Sequence, residues 1–238
     1  MTSQRGLLPA WMLLAGILFP LRAQAPDRFQ RERSAMVDLI VRRGVKDSAT
    51  LAAMRAVPRH EFVPAGFLSQ AYGDHPVPIG LGQTISQPYI VAYMTEVARV
   101  RSGFKVLEVG TGSGYQAAVL AWIGCRVFTM EIFEAHADSA RSRLARLGFK
   151  NATVRHGDGH FGWPAEAPFD AILVTAAAGY IPPDLVDQLK PGGRMLIPVG
   201  SPAGTQQLIL VEKSAGGKVS TRSLLPVAFV PLLRSPTR

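Results

Sequence analysis

Cysteine is almost absent from this chain of 238 residues. Cys125 is its only cysteine, so an intramolecular disulfide framework and a multi-cysteine zinc or iron–sulfur site are both excluded. Charged residues are also sparse, at 18% of the chain against 47% hydrophobic residues. This composition excludes an acidic or polar disordered chain, and it is sufficient for a sizeable hydrophobic core.

The run that could reach into a membrane lies at the N-terminus. Arg5 precedes the uncharged stretch Gly6–Leu21, and Ala23-Gln24-Ala25 then fits the small-x-small pattern of a cleavage site. The stretch is shorter than the ~20 apolar residues that a membrane-spanning helix needs. We therefore predict a signal peptide over residues 1–25, and an exported or periplasmic protein without a stable membrane anchor. Pro26 disfavours cleavage, so an uncleaved leader or a cytoplasmic protein is the alternative.

The chain is basic, with a formal net charge of +9. Its lysines and arginines are dispersed, and no five like charges follow one another. This pattern favours an ordinary solvent-exposed surface over a specific nucleic-acid site. A non-catalytic binder of nucleic acid or anionic membrane is the alternative outside the enzymes, and a steep loss of affinity with salt would identify it.

Residues 26–88 predict N-terminal helices followed by a lid. Apolar residues at helical spacing predict two helices separated at Gly44, with Asp47 or Ser48 as the N-cap of the second. The segment Pro58–Pro88 is irregular and rich in proline, yet it is too apolar for disorder. Long irregular stretches in compact domains are usually functional, so we predict a substrate lid or platform here.

Residues 89–238 alternate between strand and helix patterns, which predicts an α/β fold. The implied architecture is Rossmann-like: a mostly parallel central sheet with helices on both faces. We expect residues 26–238 to fold as one domain, with a hairpin or edge strands over Gln207–Glu212 and Val219–Leu232. The five central strands are predicted at Lys105–Val109, Arg126–Met130, Ala152–Arg155, Asp170–Val174 and Arg194–Val199.

A glycine-rich loop follows the first of these strands. Gly110, Gly112 and Gly114 lead directly into a helix, as in nucleotide pockets at the carboxyl edge of a parallel sheet. The third glycine comes four residues after the first, one fewer than in the dinucleotide fingerprint. Glu108 is a poor neighbour for a pyrophosphate but a good one for the ammonium and sulfonium of S-adenosylmethionine. An NAD-dependent oxidoreductase is therefore the less favoured interpretation.

Two further acids follow the next two strands. Glu131 ends the second strand, where a carboxylate can accept from both ribose hydroxyls. Asp158 lies in the turn Gly157-Asp158-Gly159 after the third strand, and we expect it within reach of the adenine amine. Acids after three successive strands favour methyl transfer over hydride transfer.

Several motifs resemble those of the protein-L-isoaspartate O-methyltransferase family. They are GQTISQP at 82–88, VPRHEFVP at 57–64, VLEVGTGSGYQAAVLA at 106–121 and FDAILVTAAAGYIPPDLVDQLKPGGRMLIPVG at 169–200. The resemblance covers roughly residues 31–232 in the family's order. It implies a Rossmann-like methyltransferase fold and a repair enzyme, which methylates the free α-carboxylate of isoaspartyl residues in damaged proteins and peptides. The ester would then close to a succinimide and return partly to aspartyl.

The resemblance also implies roles for individual residues. Ser86 is the implied catalytic residue, donating a hydrogen bond that orients the substrate carboxylate. S-adenosyl-L-methionine is the implied co-substrate, and we expect a monomer. The residues expected to bind it are Thr84, Ile85, Glu108, Gly110, Thr111, Gly112, Ser113, Gly114, Glu131, Ile132, Asp158, Gly159 and Thr175.

No metal is expected, because His156 and His160 have no third convergent ligand. Another S-adenosylmethionine-dependent methyltransferase, acting on a small molecule or an RNA base, is the enzymatic alternative. Amino-methylating enzymes would carry an acidic-proline-aromatic motif after the fourth strand, where this chain reads Val174-Thr175-Ala176-Ala177-Ala178.

Overall fold

The computed structural model describes residues 29–201 and 204–235, so the predicted signal peptide lies outside the described residues. Two helices, α1 (Gln30–Arg42) and α2 (Ser48–Ala56), begin this part of the chain. Gly44 separates them with a φ of +99°, a conformation that glycine adopts easily. The Asp47 carboxylate accepts from the Thr50 N–H at 2.8 Å and so caps α2, as predicted.

The proline-rich segment is more regular than the sequence predicts. Short 3-10 helices span Arg59–Phe62 and Ala65–Gln70, each directly after a proline. An antiparallel hairpin follows, with β1 at Val77–Gly80 and β2 at Gln83–Ile85. Strands of four and three residues contain too few alternations to be recognised from hydrophobic periodicity, which is why the sequence indicated only an irregular lid.

The central sheet has seven strands in the order β5-β4-β3-β6-β7-β8-β9. The first five run parallel, and β8 and β9 are antiparallel additions at one edge. This confirms the predicted mostly parallel α/β fold. The elements are α3 (Pro88–Val97), β3 (Lys105–Val109), α4 (Tyr115–Trp122), β4 (Arg126–Glu131), α5 (Glu134–Arg146), β5 (Ala152–His156), β6 (Phe169–Val174), α6 (Pro183–Asp187), β7 (Leu189–Val199), β8 (Gln206–Lys213) and β9 (Val219–Val227).

Strand β7 begins five residues earlier than predicted. Phe169 pairs with Leu189 and Ala171 with Arg194, so residues 190–193 form an irregularity between the two pairs. Gly192 within it has a φ of +84°. The proline and glycines of this stretch resemble a turn in sequence, whereas in the fold they form a bulge inside a strand.

Helices cover both faces of the sheet, but unequally. Residues of α1 to α5 pack into the larger hydrophobic cluster on one face, and α6 belongs to the smaller cluster on the other. Side chains of β3 alternate between the two clusters, with Val106 in the larger and Leu107 in the smaller. Glu108 therefore points to the same face as Val106, towards α3 and α4.

Within residues 29–201 and 204–235, no helix combines the length and the apolar character needed to cross a bilayer.

Candidate active site

The glycine loop brings the backbone close to the neighbouring strand end. Gly110 has a φ of +101°, and a Cβ at this position would lie 2.5 Å from Thr175 Oγ1. The Thr175 hydroxyl donates to the Gly110 carbonyl at 2.6 Å. Gly114, with a φ of +86°, is the N-cap of α4. A glycine is thus required where the loop passes β6, and the loop delivers the chain to a helix N-terminus.

A cleft of about 720 Å³ lies at this edge of the sheet. Every residue that we expected to bind the co-substrate lines it, apart from Gly114 and Asp158, and so does Ser86. The predicted residues that the fold brings together in the cleft are Thr84, Ile85, Ser86, Glu108, Gly110, Thr111, Gly112, Ser113, Glu131, Ile132, Gly159 and Thr175.

Glu131 is buried at the end of β4, and both of its carboxylate oxygens accept from backbone N–H groups. Oε2 accepts from Gly112 at 2.7 Å and Oε1 from Phe133 at 3.0 Å. The carboxylate therefore ties the glycine loop to the end of β4. Each oxygen has a second lone pair, so Glu131 can also accept from hydroxyl groups of a ligand in the cleft.

Glu108 is fully buried on β3, and only one of its oxygens is hydrogen-bonded. Thr129 donates to Oε2 at 2.5 Å, and Thr111 lies 2.6 Å from the Thr129 hydroxyl. Oε1 has no partner among the described residues. Burial raises the pKa of Glu108 to about 8, against the opposing effect of the Thr129 hydrogen bond and with a smaller contribution from Glu131.

Asp158 is engaged by the C-terminal segment rather than open to the cleft. Oδ1 accepts from the His160 N–H, and Oδ2 accepts from the Arg234 side chain and the Ser235 N–H, each at 3.1 Å. Burial alone would raise the pKa of Asp158, but these hydrogen bonds and the Arg234 charge bring it below its usual range. The neighbouring Gly159 does line the cleft.

The C-terminal segment Val230–Leu233 also lines the cleft, which the sequence did not indicate. It is held across the end of β6 by Ala177, whose N–H donates to the Val230 carbonyl at 2.8 Å and whose carbonyl accepts from the Leu232 N–H at 2.7 Å. No local motif encodes this contact. The other lining residues that the prediction missed are Gln83, Val91, Val109, Tyr115, Gln116, Met130, Phe133 and Ala176.

A second cavity, a groove of about 950 Å³, adjoins the cleft. One wall contains Gln87 and Ile90. The other wall is the stretch Leu225–Val230, which comprises the end of β9 and the residues that follow it. Ser86 lines both cavities, together with Thr84 and Thr175. A ligand in the groove can therefore meet a ligand in the cleft at Ser86.

Asp74 holds the turn that carries Ser86. Its carboxylate accepts from the Gln87 side chain at 2.9 Å and from the Tyr89 N–H at 3.1 Å, and it forms an ion pair with Arg43. The Gln87 side chain also donates to the Asp74 carbonyl at 2.8 Å. The start of α3 lacks a side-chain cap from its own N-cap residue, so Asp74 supplies one from a distant segment. A lone aspartate within a motif gave no indication of this role.

Within the described ranges, no group of three or more His, Cys, Asp or Glu side chains is placed to hold a metal ion. His156 Nε2 lies 3.1 Å from the Ile132 carbonyl, and His160 Nε2 lies 3.1 Å from the Tyr180 hydroxyl. The two imidazoles that flank Asp158 in sequence thus have separate partners.

The cleft fits S-adenosyl-L-methionine on the evidence of its own polar atoms. Glu108 Oε1 and Gln116 Oε1 are buried acceptors without partners among the described residues, and buried polar groups are normally satisfied. The cationic amino-acid part of the co-substrate supplies donors for such acceptors, while Glu131 is placed at a strand end suited to a ribose.

Comparison with known proteins identifies relatives over nearly the whole described chain. The family of protein-L-isoaspartate(D-aspartate) O-methyltransferases (PCMT) matches residues 30–236. The chain is 63% identical over 186 residues to protein-L-isoaspartate O-methyltransferase 2 of Polaromonas sp. (strain JS666), covering 78% of this chain and 88% of the relative. It is 51% identical over 221 residues to protein-L-isoaspartate O-methyltransferase 1 of Nitrosospira multiformis, covering 93% and 94%.

A solved structure agrees with the sequence relatives. It is a Plasmodium falciparum protein described as a protein-L-isoaspartate O-methyltransferase, in complex with S-adenosyl-L-homocysteine. The TM-score is 0.75 at 26% identity, covering 85% of this chain and 99% of the solved one. With the sheet order, the glycine loop and the cleft, these matches establish that the chain belongs to the protein-L-isoaspartate(D-aspartate) O-methyltransferase family.

Proposed function

We propose that this chain transfers the methyl group of S-adenosyl-L-methionine to the free α-carboxylate of L-isoaspartyl residues in damaged proteins and peptides. One observation carries the proposal: Ser86 lines both the cleft that holds the acids of β3 and β4 and the adjoining groove. Family membership and the names of the relatives support the same acceptor.

The reaction needs little from the chain beyond the alignment of the reacting atoms. A carboxylate is ionised at neutral pH, so no general base is needed, and Ser86 donates a hydrogen bond that turns one carboxylate oxygen towards the cleft. S-adenosyl-L-methionine, when bound, supplies a methyl carbon to that oxygen, and the electron pair of the broken carbon–sulfur bond stays on sulfur. Holding the reacting atoms in line and excluding water supply most of the rate enhancement.

The methyl ester is then the starting point of repair. The next backbone nitrogen attacks the ester carbonyl, methanol leaves, and a succinimide forms without help from the chain. Hydrolysis of the succinimide returns part of the material to a normal aspartyl linkage.

The groove suits an extended peptide. Its walls are mostly apolar or backbone, and Arg43 is the only ionisable residue among the side chains that line it. Strand β9 forms the edge of the sheet next to it, and such an edge can pair with an extended chain. The acceptor carboxylate would then point out of the groove towards Ser86.

Substitution of Ser86 tests the proposal. We expect Ser86→Ala to lower turnover on an isoaspartyl peptide. The loss corresponds to about 1–3 kcal/mol in the free energy of the transition state, because the serine positions the oxygen more than it stabilises charge. Affinity for S-adenosyl-L-homocysteine, measured by calorimetry, should stay within about twofold. Ser69→Ala, an exposed serine of the same lid segment, is the matched control.

Two peptides that differ only in an aspartyl or isoaspartyl linkage complete the assay. Label from S-adenosyl-L-methionine should enter the isoaspartyl peptide alone. Equal labelling of both peptides, or of neither, would exclude the proposed acceptor and favour a methyltransferase acting on another class of molecule. Unchanged turnover in Ser86→Ala would instead assign the carboxylate to backbone N–H groups of the turn.

We also propose that the protein is exported, with residues 1–25 as the signal peptide and residues 26–238 as one monomeric domain. The support is the uncharged stretch Gly6–Leu21 and the larger hydrophobic cluster, which joins α1 and α2 to the sheet. N-terminal sequencing of protein from its native host tests the export. A start at Met1 or Thr2 in the cytosolic fraction would favour the cytoplasmic alternative.

A further inference from the structure

Arg43 is a charged side chain in a groove whose other walls are apolar or neutral. It follows α1 directly and lines the groove beside the cleft, which Ser86 and Gln87 also line. Within the described residues, no other ionisable side chain lines this groove. The proposed methyl transfer gives Arg43 no role, because Ser86 is the residue that orients the reacting carboxylate.

Two neighbours hold Arg43 in a defined position. The central carbon of its guanidinium lies 3.6 Å from the centroid of the Tyr89 ring, and its Nη1 donates to the Asp74 carboxylate in an ion pair. Stacking on an aromatic ring and pairing with a carboxylate both restrict a long side chain. Arg43 is therefore placed before a ligand arrives, so that binding costs less conformational entropy.

The ion pair exposes its cation more than its anion. The Arg43 side chain is 40% exposed, whereas that of Asp74 is 13% exposed. The Asp74 carboxylate also accepts from the Gln87 side chain and the Tyr89 N–H, so both of its oxygens are engaged by the fold. A guanidinium has five N–H donors, and within the described chain it donates from Nη1 alone. Arg43 can therefore bind a second carboxylate.

A second arginine lies near the next tyrosine of α3. Tyr93 packs beside Tyr89, with 5.7 Å between the ring centroids. Arg222 of β9 pairs with Leu210, a residue of the larger hydrophobic cluster, so Arg222 points to the face of the sheet that α3 covers. Burial raises the pKa of Tyr93, and the charge of Arg222 opposes this increase. One arginine therefore lies beside each of the two tyrosines.

Acids near this surface are engaged within the fold. Glu96 of α3 accepts from the Lys46 and Asp47 N–H groups, each at 2.6 Å, and Glu212 of β8 forms an ion pair with Arg194. The chain as a whole carries a formal net charge of +9. An anionic segment in the groove would therefore be attracted by exposed cations and repelled little by these acids.

We propose that Arg43, assisted by Arg222, selects acceptor peptides that carry an acidic side chain within about three residues of the isoaspartyl residue, a span that an extended chain covers in ~10 Å. The inference rests on the proposed function for the identity of the acceptor, and it adds the class of sequence that the groove prefers. An acidic peptide fits better than a nucleic acid, because the groove is largely apolar and adjoins the sheet edge β9, where extended backbone can pair.

Isoaspartyl peptides that differ at a single position test the selection. Glu, Gln or Lys is placed in turn at each position within three residues of the isoaspartyl residue. At the position that reaches Arg43, we expect KM to be about fivefold lower with Glu than with Gln, the size of an exposed ion pair, and higher with Lys. The preference should decline at about 0.5 M salt, because exposed charges are screened. Equal KM values for Glu and Gln at every position would overturn the proposal.

Variants of the two arginines assign the preference to its residues. Because Arg43 also pairs with Asp74, Arg43→Met should lower kcat for all peptides, so the informative quantity is the ratio of KM between the Gln and Glu peptides. We expect this ratio to fall to about one in Arg43→Met, to recover in Arg43→Lys and to fall by about half in Arg222→Gln. Arg126→Gln, an exposed arginine at the start of β4, is the control. An unchanged ratio in Arg43→Met would overturn the role of Arg43, and Arg222→Gln tests the proposal if that variant does not fold.

Direct binding separates this inference from the proposed function. The affinities of the Glu and Gln peptides are measured by calorimetry on protein saturated with S-adenosyl-L-homocysteine, which has no methyl group to transfer. Tighter binding of the Glu peptide without methylation of either peptide would contradict the proposed function and support the acidic preference. Methylation of both peptides with equal KM and equal affinity would do the reverse. Displacement of the Glu peptide by an equal concentration of a single-stranded oligonucleotide would assign the arginines and tyrosines to nucleic acid and overturn the inference.

Discussion

Two carboxylates lie at or next to the ends of neighbouring strands and line one cleft, yet their environments differ. Both oxygens of Glu131 accept from backbone N–H groups, of Gly112 and Phe133. Glu108 has one oxygen bonded to Thr129 and one without a partner in the described chain. The fold itself supplies hydrogen-bond donors to both oxygens of Glu131, whereas it supplies a donor to only one oxygen of Glu108.

The difference follows from the local backbone. Glu131 is the last residue of β4, where the chain turns and the glycine loop after the adjacent strand directs the Gly112 N–H at the carboxylate. Glu108 is one residue inside the end of β3, where it is paired with strands on both sides, with Thr129 of β4 and Leu173 of β6. The position of each acid along its strand therefore determines how many backbone N–H groups its carboxylate can accept from.

The largest expected effect concerns the pH dependence of stability. Burial raises the pKa of Glu108 in the folded protein well above its usual range, to about 8. The unfolded chain loses this proton near its usual pKa while the folded chain keeps it, so stability is full below that pKa and falls as pH rises towards 8. We expect a loss of up to about 4 kcal/mol between pH 5 and pH 8.

Denaturant unfolding of the wild type and Glu108→Gln across this range measures the effect. The difference between the two proteins should change with pH in the stated direction, because glutamine does not titrate. A constant difference between pH 5 and pH 8 would mean that Glu108 is ionised in the folded protein at both values, and that the cleft compensates its charge.

The next effect concerns Glu131. We expect Glu131→Ala to weaken binding of S-adenosyl-L-homocysteine by about 1.5–3 kcal/mol, because charge-assisted hydrogen bonds to the ribose are lost and the Gly112 N–H loses its acceptor. Turnover at saturating co-substrate should fall less. Calorimetry provides the measurement, and Glu134→Ala, an exposed acid at the start of α5, is the control. Unchanged affinity in a folded variant would remove Glu131 from the ribose.

Much of this comparison could be predicted from the sequence. The placement of Glu108 and Glu131 at neighbouring strand ends depends on apolar runs and a glycine loop, both of which are local patterns. The hydrogen-bond partners of each carboxylate could not be predicted, since they depend on which N–H groups other segments place beside it. The same limit applies to Asp74, whose partners Arg43, Gln87 and Tyr89 come from elsewhere in the chain.

The segments that line the open side of the cleft could not be predicted from local sequence patterns either. The hairpin of β1 and β2 is too short to show periodicity, and Val230–Leu233 reaches the cleft only through backbone pairing with Ala177. The sequence predicted edge strands near the C-terminus, but nothing in the residues of this segment indicates which end of the sheet it crosses. Tertiary pairing determines its position.

A smaller effect is expected on the pH dependence of co-substrate binding. If Glu108 binds a cation in its ionised form, affinity for S-adenosyl-L-methionine should rise as pH increases towards the pKa of about 8, with release of a proton. We expect about a tenfold gain between pH 6 and pH 7.5, where the α-amino group of the ligand has only begun to titrate. Calorimetry in buffers of different ionisation enthalpy counts the proton. A flat profile in the wild type, identical to that of Glu108→Gln, would contradict the linkage.

The smallest effect concerns Asp158, the acid that follows the third strand of this edge. Unlike Glu108 and Glu131, it accepts from a charged side chain, that of Arg234, which is 46% exposed. Exposed ion pairs contribute about 0–1 kcal/mol, and the Ser235 N–H remains as a partner after substitution. We therefore expect Arg234→Gln to change the affinity for S-adenosyl-L-homocysteine by less than about threefold.

The direction of the change in affinity distinguishes two roles of Arg234. Weaker binding would mean that Arg234 helps to hold the C-terminal segment over the cleft. Tighter binding would mean that Arg234 competes with the adenine amine for Asp158. A change above tenfold in either direction would place Asp158 with Glu131, as an acid on which the ligand depends strongly.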